Sequence, residues 1–521
     1  MDMTSPHSRS RRHTRCHTTA GVVGAMFAAT LISACGGDSP GSFQAAACPV
    51  PNLPGVPSAD LGPQFSCGYL TVSENRSIPN GRTIRILVVR VKAASATPKS
   101  DPIVFLHGGP GGIASIEAQG IVDGGMNAER EVIFVNQRGG LHDEPHLGCP
   151  ELDAFDALAV GLVYQDPATA ALDGAAVAAC RKRLAATGAD LTAFGTLANA
   201  ADFADLRVAL GIERWNVYGV SYGSYLAQQL ARDHPEGIRT LILDSVLPPT
   251  VNIVDRWWEA PASGLKSIFQ ACADQPACAA AYPNLETVFN ATVNKLARTP
   301  ALITVTGASG KPVKVTIDGF KLVPLVLDWS ANSKVVDIPR MIYNLASGDG
   351  TIAAAAIAVA ANAVPLDQQG LLGFGTALDA YCQDMANWTT PEQALAHSRM
   401  AMPAFPDSVL QIAPTGSWIF HECSAWDTNR SNPITHAPVV SAIPTLILSG
   451  TFDTKTAPAW IDESTPGLRN SVVVHFPGVG HGVLPASKCG QSIMTAFVDN
   501  PAASVDTSCV AHEAIPTFAT P

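Results

Sequence analysis

Ser221 sits in the run Tyr218-Gly219-Val220-Ser221-Tyr222-Gly223, a serine with a glycine two residues to either side. The apolar run 214–220 before it reads as a strand, and the pattern from 224 to 237 reads as a helix, which places the serine on the turn between them. So sharp a turn leaves no room for Cβ atoms, which accounts for Gly219 and Gly223. It would expose the hydroxyl and set the Tyr222 N–H at a helix N-terminus, where it can stabilise an oxyanion. The chemistry implied is nucleophilic acyl transfer. A second donor is offered by His107-Gly108-Gly109-Pro110-Gly111-Gly112, at the end of the apolar run 101–106. No Gly-Lys-Ser/Thr follows, so a phosphate loop is a poor reading. The Gly109 N–H is the candidate partner of Tyr222 in the oxyanion hole, and His107 is expected to hold the loop rather than act as a base.

Strand, serine turn and helix together form the G-x-S-x-G nucleophile elbow of α/β-hydrolases, in which the acid and then the histidine follow the serine along the chain. Asp453 follows the apolar run 443–450, and His481 lies between Gly480 and Gly482 after the run 470–477. His481 would take the Ser221 proton, and Asp453 would fix its tautomer and stabilise the imidazolium. The rival residues have plainer readings. His475 is expected to point into packing, His421 lies beside Cys423, and His142 and His146 read as a surface loop because their spacing matches no usual metal site. Asp462 and Glu463 are spare acids.

These groups need a sheet to position them. Short apolar runs at 101–108, 130–137, 214–220, 239–245, 443–450 and 470–477 have the character of buried parallel strands, and 82–93 with "GYLTVSE" suggests an antiparallel pair. Helical patterns between them, such as 199–211, argue a mostly parallel α/β sheet flanked by helices. The alternation breaks from about 250 to 438, an Ala-rich, helix-like stretch with a strand-like island near 301–317. That interval reads as an inserted, mainly helical cap domain. Its run "TIAAAAIAVAANA" is too short for a membrane span and reads as a packed helix. The expected organisation is a signal at 1–34, a tether at 35–65, core at 66–250, cap at 251–438 and core again at 439–521.

The chain of 521 residues is 47 % hydrophobic and 15 % charged, with a formal net charge of −11, which suits a large buried core and argues against a nucleic-acid partner. Arg9, Arg11, Arg12 and Arg15 precede an uncharged apolar stretch, 20–34, of signal-peptide length. It ends in "LISAC", which resembles a bacterial lipobox with Cys35 as the lipidated residue; cleavage near 45–47 is the alternative. The protein is thus expected in the cell envelope or secreted, touching a membrane only through Cys35. Setting aside Cys16 in the signal and Cys35, the other ten cysteines suit disulfides in an exported protein. The simplest connectivity joins neighbours in order: 48–67, 149–180, 272–278, 382–423 and 489–509, with Pro276 breaking the helix inside the short third loop. Nothing in the sequence calls for a metal or an organic cofactor.

The set "HGGPGG", "VNQRGG", "GVSYGSYLAQQLARDHPEGIRTLILDSVLPP", "LILSGTFDTKTAP" and "GVGHGV" resembles the prolyl aminopeptidase and tripeptidyl aminopeptidase group of secreted α/β-hydrolases, over roughly 100–250 and 440–515. The resemblance implies an exported serine hydrolase that forms an acyl-enzyme on an N-terminal residue or short N-terminal peptide. A carboxylesterase or amidase using the same triad is the alternative, and a binding protein on an inactive scaffold is a third reading that the intact motifs disfavour. Related enzymes often carry Asp-Gln-Arg-Gly where this chain has Asn136-Gln137-Arg138-Gly139, which removes a negative charge near the loop. The resemblance also implies acidic cap residues that hold a free amino terminus. Asp379, Asp384, Glu422 and Asp427 are candidates, although a solvated acid is the plainer reading of each.

Overall fold

The computed structural model describes residues 39–49, 63–307, 310–361, 373–414 and 418–521. The signal at 1–34 and Cys35 lie outside the described residues. Among the described residues there are eleven strands: β1 (Ser42–Ala46), β2 (Phe65–Ser73), β3 (Thr83–Val91), β4 (Lys99–Leu106), β5 (Arg130–Val135), β6 (Trp215–Val220), β7 (Ile238–Asp244), β8 (Ala301–Thr306), β9 (Pro312–Ile317), β10 (Thr445–Gly450) and β11 (Ser471–Phe476). Nine of them form one sheet in the order β1-β2-β3-β5-β4-β6-β7-β10-β11, and β8 pairs with β9 in a separate hairpin. The chain is an α/β-hydrolase fold.

The six apolar runs read as parallel strands are β4, β5, β6, β7, β10 and β11, and each pairs in parallel with its sheet neighbours among the six. β2 and β3 form the expected antiparallel pair. Both faces of the sheet are covered, which is why these strands read as unbroken apolar runs. Val104, Leu106, Val217 and Leu243 pack on one face, and Phe105, Tyr218, Ile242 and Leu448 on the other. Within the stretch expected as a tether, β1 adds an antiparallel edge strand to β2, fastened by the Cys48–Cys67 disulfide.

Between β7 and β10 the chain is mainly helical and has its own apolar cluster, which includes Phe289, Phe320, Val326 and Ile342. A second excursion runs from β5 to β6 and includes helices Pro150–Ala159, Pro167–Ala185 and Thr196–Ala209. Phe155, Tyr164 and Ala170 from that excursion join the same cluster as Phe289. Lys321 Nζ donates to the carbonyls of Ala159, Val160 and Leu162, tying the two excursions together. Part of the interval 66–250 therefore packs with the inserted helices rather than on the sheet.

The five expected cysteine pairs are the pairs that bond, with Cα–Cα separations from 4.9 to 5.8 Å. Five such bonds suit an oxidising, extracellular environment. The short Cys272–Cys278 loop closes because helix Glu259–Ala273 stops and Pro276 opens a new helix, Pro276–Ala281. Among the described residues no single helix is long and apolar enough to cross a membrane; "TIAAAAIAVAANA" begins the 11-residue helix Thr351–Ala361.

Candidate active site

Ser221 follows β6 directly and precedes helix Tyr222–Asp233, with φ 58° and ψ −127°. That left-handed backbone is costly for a non-glycine residue, and such strain gathers at functional turns. A Cβ on Gly219 would overlap the Gly223 carbonyl, and one on Gly223 would overlap the Leu106 carbonyl at the end of β4. The two glycines are therefore dictated by backbone approaching backbone. The Ser221 N–H donates to the Asp244 carbonyl at 3.0 Å, which pins the turn to the end of β7.

His481 and Asp453 come from the loops after β11 and β10. The His481 Nδ1 lies 2.9 and 3.0 Å from the two carboxylate oxygens of Asp453. Asp453 is fully buried and also accepts from the amides of Lys455 and Thr456 and from the Thr456 hydroxyl, at 2.8, 2.9 and 2.7 Å. Burial works against its charge, but His481 and the amide donors together outweigh it and hold the carboxyl below its ordinary range. Ser221 and His481 line one cavity of about 310 Å³ together with His107, Gly108, Gly109, Tyr222 and Tyr381. The structure thus gathers Ser221, His481, Gly109 and Tyr222 around one space, with Asp453 against the His481 ring.

The plainer readings fare unevenly. His107 Nδ1 lies 3.1 Å from the Gly108 oxygen, within its own loop. His475 does not point into packing: β11 ends the sheet, and His475 is exposed. His142 and His146 are not on an open surface loop; both are half-buried, and His146 Nδ1 lies 2.9 Å from the Gly140 oxygen. His421 is exposed, 6.0 Å from the Trp418 ring, and Glu463 pairs with Arg256 at 2.5 Å. Asn136 is buried, donates to the Leu141 oxygen at 2.6 Å and faces Asp143 at 3.5 Å, so the Asp-to-Asn departure acts inside the loop.

Three of the four acids read as solvated are buried. Asp379 accepts from the Phe194 amide at 2.9 Å and from the Trp426 indole at 3.3 Å. Asp384 accepts from the Thr196 amide at 3.3 Å and from the Thr196 hydroxyl. Burial pushes the Asp379 carboxyl up to about 7 and that of Asp384 up to about 6. Both join helix Phe374–Asp384 to residues 194–196. Asp427 is exposed beside Arg181, 3.5 Å away.

Glu422 is placed differently, and with it come two acids that sequence reasoning missed. It lines a second cavity of about 290 Å³ with Asp156, Asp173, Trp257, Tyr381 and residues 109–112. Gly109 and Tyr381 border both cavities. Asp173 is 1 % exposed, and the neighbour of its carboxyl is the carboxyl of Glu422. Burial pushes its carboxyl up to about 6, although contact with Glu422 opposes the rise. Asp156 is also raised, by burial first and then by the charges of Asp173 and Asp153. No group of three or more His, Cys, Asp or Glu among the described residues is arranged to hold a metal ion. The one sequence signal was the long interval between the runs at 130–137 and 214–220, far more than one crossover helix needs.

A further group missed from sequence is Asp244, which ends β7 inside the motif "LILDS". Its carboxylate accepts from the amides of Val483 and Leu484 at 2.8 and 3.0 Å, while Ser245 Oγ accepts from Gly482 at 2.9 Å. These bonds fix the loop that presents His481.

The α/β hydrolase fold family matches residues 101–485, and the chain belongs to it. Within that family its relatives include the tripeptidyl aminopeptidase of Streptomyces coelicolor, 26 % identical over 216 residues that cover 39 % of this chain and 38 % of that protein. The proline iminopeptidase of Neisseria meningitidis serogroup A is 25 % identical over 207 residues, 39 % of this chain and 47 % of that one. The matched region thus spans less than half of either relative. A solved proline iminopeptidase from Mycobacterium smegmatis is 16 % identical, with a TM-score of 0.35 over 83 % of this chain and 98 % of that one.

Proposed function

We propose that this chain is a serine hydrolase that works through an acyl-enzyme, and that it is an aminopeptidase releasing N-terminal residues or short N-terminal peptides. His481 Nε2 takes the Ser221 proton as Oγ attacks the scissile carbonyl, and Asp453 holds the opposite ring nitrogen and stabilises the imidazolium. The N–H groups of Gly109 and Tyr222 receive the oxyanion. His481 then protonates the departing amine, and water deacylates the serine by the same steps in reverse.

The observation that carries the peptidase reading is the acidic cavity on the far side of Gly109 and Tyr381. A buried carboxylate whose neighbour is another carboxyl is costly to ionise unless a cation arrives. A free α-ammonium anchored at Asp173 and Glu422 would lay the acyl part of a peptide past Gly109 towards Ser221. The names of the Streptomyces and Neisseria relatives support the same class. An esterase reading draws on one feature, the apolar wall of Leu247, Ile253 and Met385 in the catalytic cavity.

Hydrolysis of alanyl-, prolyl- and tripeptidyl-arylamides with free and acetylated N-termini, alongside short-chain aryl esters, separates the two. Arylamide cleavage that disappears both on acetylation and in Ser221→Ala supports the aminopeptidase. Ester cleavage alone, still dependent on Ser221, selects the esterase.

A further inference from the structure

The motif Asn136-Gln137-Arg138 lies outside the lining of the catalytic cavity, yet one of its side chains reaches the loop beside Ser221. Gln137 is 1 % exposed, and its carboxamide makes three bonds to that loop. Nε2 donates to the oxygens of His107 and Gly108, at 2.9 and 3.1 Å, and Oε1 accepts from the Gly111 N–H at 2.9 Å. One planar group thereby ties the start of the loop to its end.

The bond to Gly108 matters most, because the Gly108 oxygen and the Gly109 N–H belong to a single peptide unit. A planar trans peptide points these two atoms in opposite directions. With the oxygen drawn towards Gln137, the N–H is directed away from it. The same loop passes close to the nucleophile: a Cβ on Gly108 would lie 3.0 Å from the Ser221 Cβ. Gly108 and Gly109 both line the cavity shared by Ser221 and His481.

We propose that Gln137 is a positioning residue for acyl transfer, whose carboxamide sets the direction of the Gly109 N–H and so preorganises the oxyanion hole. The role requires a donor and an acceptor on one short arm. Glutamate has no donor when ionised, and lysine has no acceptor. Arg138 anchors the motif from below: its buried guanidinium pairs with both oxygens of Asp202, each at 2.7 Å, and donates to the Glu74 and Ala193 carbonyls at 2.7 and 2.5 Å. The inference rests on the serine-hydrolase reading above.

The test uses the full chain and two variants, Gln137→Glu and Gln137→Met, with 4-nitrophenyl acetate and alanine 4-nitroanilide as substrates. Gln137→Glu keeps the acceptor for Gly111 but sets an oxygen against two carbonyls; Gln137→Met removes both functions without adding charge, and it decides the matter if the glutamate variant does not fold. Loss of one oxyanion donor costs about 10²–10³ in kcat. The expected result is a fall in kcat of about 10–100-fold, since the loop is misdirected rather than deleted, with KM within about threefold. Affinity for phenylboronic acid, which forms a tetrahedral adduct on a serine, falls in parallel. A purely structural Gln137 would lower the melting temperature and leave kcat and boronate affinity within about threefold of wild type, which overturns the inference. Ser221→Ala separates the two levels. An inactive Ser221→Ala beside a Gln137→Met variant of wild-type kcat overturns this inference alone, whereas an active Ser221→Ala overturns the serine reading and this inference with it.

Discussion

Asp453→Asn tests the catalytic proposal with the least disturbance of shape. The asparagine oxygen can keep the amides of Lys455 and Thr456, which the carboxylate accepts at 2.8 and 2.9 Å. Its amide nitrogen then takes the place of the oxygen that faces the Thr456 hydroxyl and lies 3.0 Å from His481 Nδ1. An N–H facing Nδ1 competes with the retained oxygen, 2.9 Å from the same nitrogen, and favours the tautomer in which Nδ1 accepts and the imidazole proton sits on Nε2, the nitrogen that must receive the Ser221 proton. Two magnitudes compete. Loss of one ordinary hydrogen bond would cost about 1 kcal/mol, roughly fivefold in rate. Loss of the working tautomer in a serine triad costs about 10⁴ in kcat, or about 5.5 kcal/mol at 1.36 kcal/mol per decade.

The expected result is therefore a fall in kcat of about 10⁴ on aryl esters and arylamides, with KM within about threefold and an unchanged circular-dichroism spectrum. A fall of less than tenfold would refute the assignment and turn attention to Asp244, the other buried carboxylate near His481. Asp244→Asn is the control. That side chain bonds Val483, Leu484 and the Tyr218 hydroxyl rather than the imidazole, so it should lower the melting temperature more than it lowers kcat.

Asp173→Asn should raise KM for free-amine arylamides at least tenfold at pH 8, measured by initial rates, and leave aryl ester hydrolysis within about threefold. The same variant tests the stability cost of the site. The Asp173 carboxyl is raised from an ordinary 3.8 to about 6 in the fold, so its ionisation opposes folding. That cost is absent below about pH 4, grows through the window and is complete above about pH 6. Asp173→Asn should thus raise the melting temperature at pH 8 and leave it unchanged at pH 4; a lower melting temperature at pH 8 would make the carboxylate a structural partner. For the wild type, KM for the same arylamides should rise as pH falls through 6, as the anchor takes up a proton. Gly223→Ala drives a methyl into the Leu106 carbonyl and should cost roughly 1–3 kcal/mol or more, read as a drop in urea midpoint.

The strands were legible because a strand buried on both faces needs a continuous apolar stretch through its middle, as at 103–106 in β4, 241–243 in β7 and 446–448 in β10. The elbow was legible because its glycines answer to a local backbone collision. The meeting of Asp453 and His481 was legible from their places at strand ends. Asp173 was not, because it stands among alanines in helix Pro167–Ala185, and Glu422 reaches the same cavity from a distant part of the chain. Asp379 and Asp384 were misread as solvated for a related reason. Their partners are the amides of Phe194 and Thr196, 185 and 188 residues away, and a backbone donor leaves no mark in the pattern of side chains. His475 went astray because alternation within β11 does not say that the sheet ends there.

Helix Phe374–Asp384 shows why the inserted segment is more than a cover over a finished enzyme. At its start, the Gly373 amide donates to the Gly111 oxygen at 3.3 Å and the Thr376 hydroxyl to the Arg138 oxygen at 2.7 Å. Further along, the Tyr381 hydroxyl donates to the Gly109 oxygen at 3.0 Å, on the peptide that follows the one held by Gln137. At its end, Asp384 meets Thr196, whose hydroxyl lies 2.6 Å from that of Tyr222, the residue after the nucleophile. The Cys382–Cys423 bond fixes this helix to Ile419–Trp426, which carries Glu422. One helix therefore touches the loop 107–112, the Arg138 turn and the wall of the acidic cavity, and through Thr196 it reaches the neighbour of Ser221. Each of these bonds satisfies a polar group, and a buried one left unpaired would cost about 1–3 kcal/mol. Specificity in such a molecule can change cheaply only through side chains that line the cavities without bearing these bonds, such as Leu247, Ile253 and Met385. An exchange of the whole insertion would take the oxyanion loop with it.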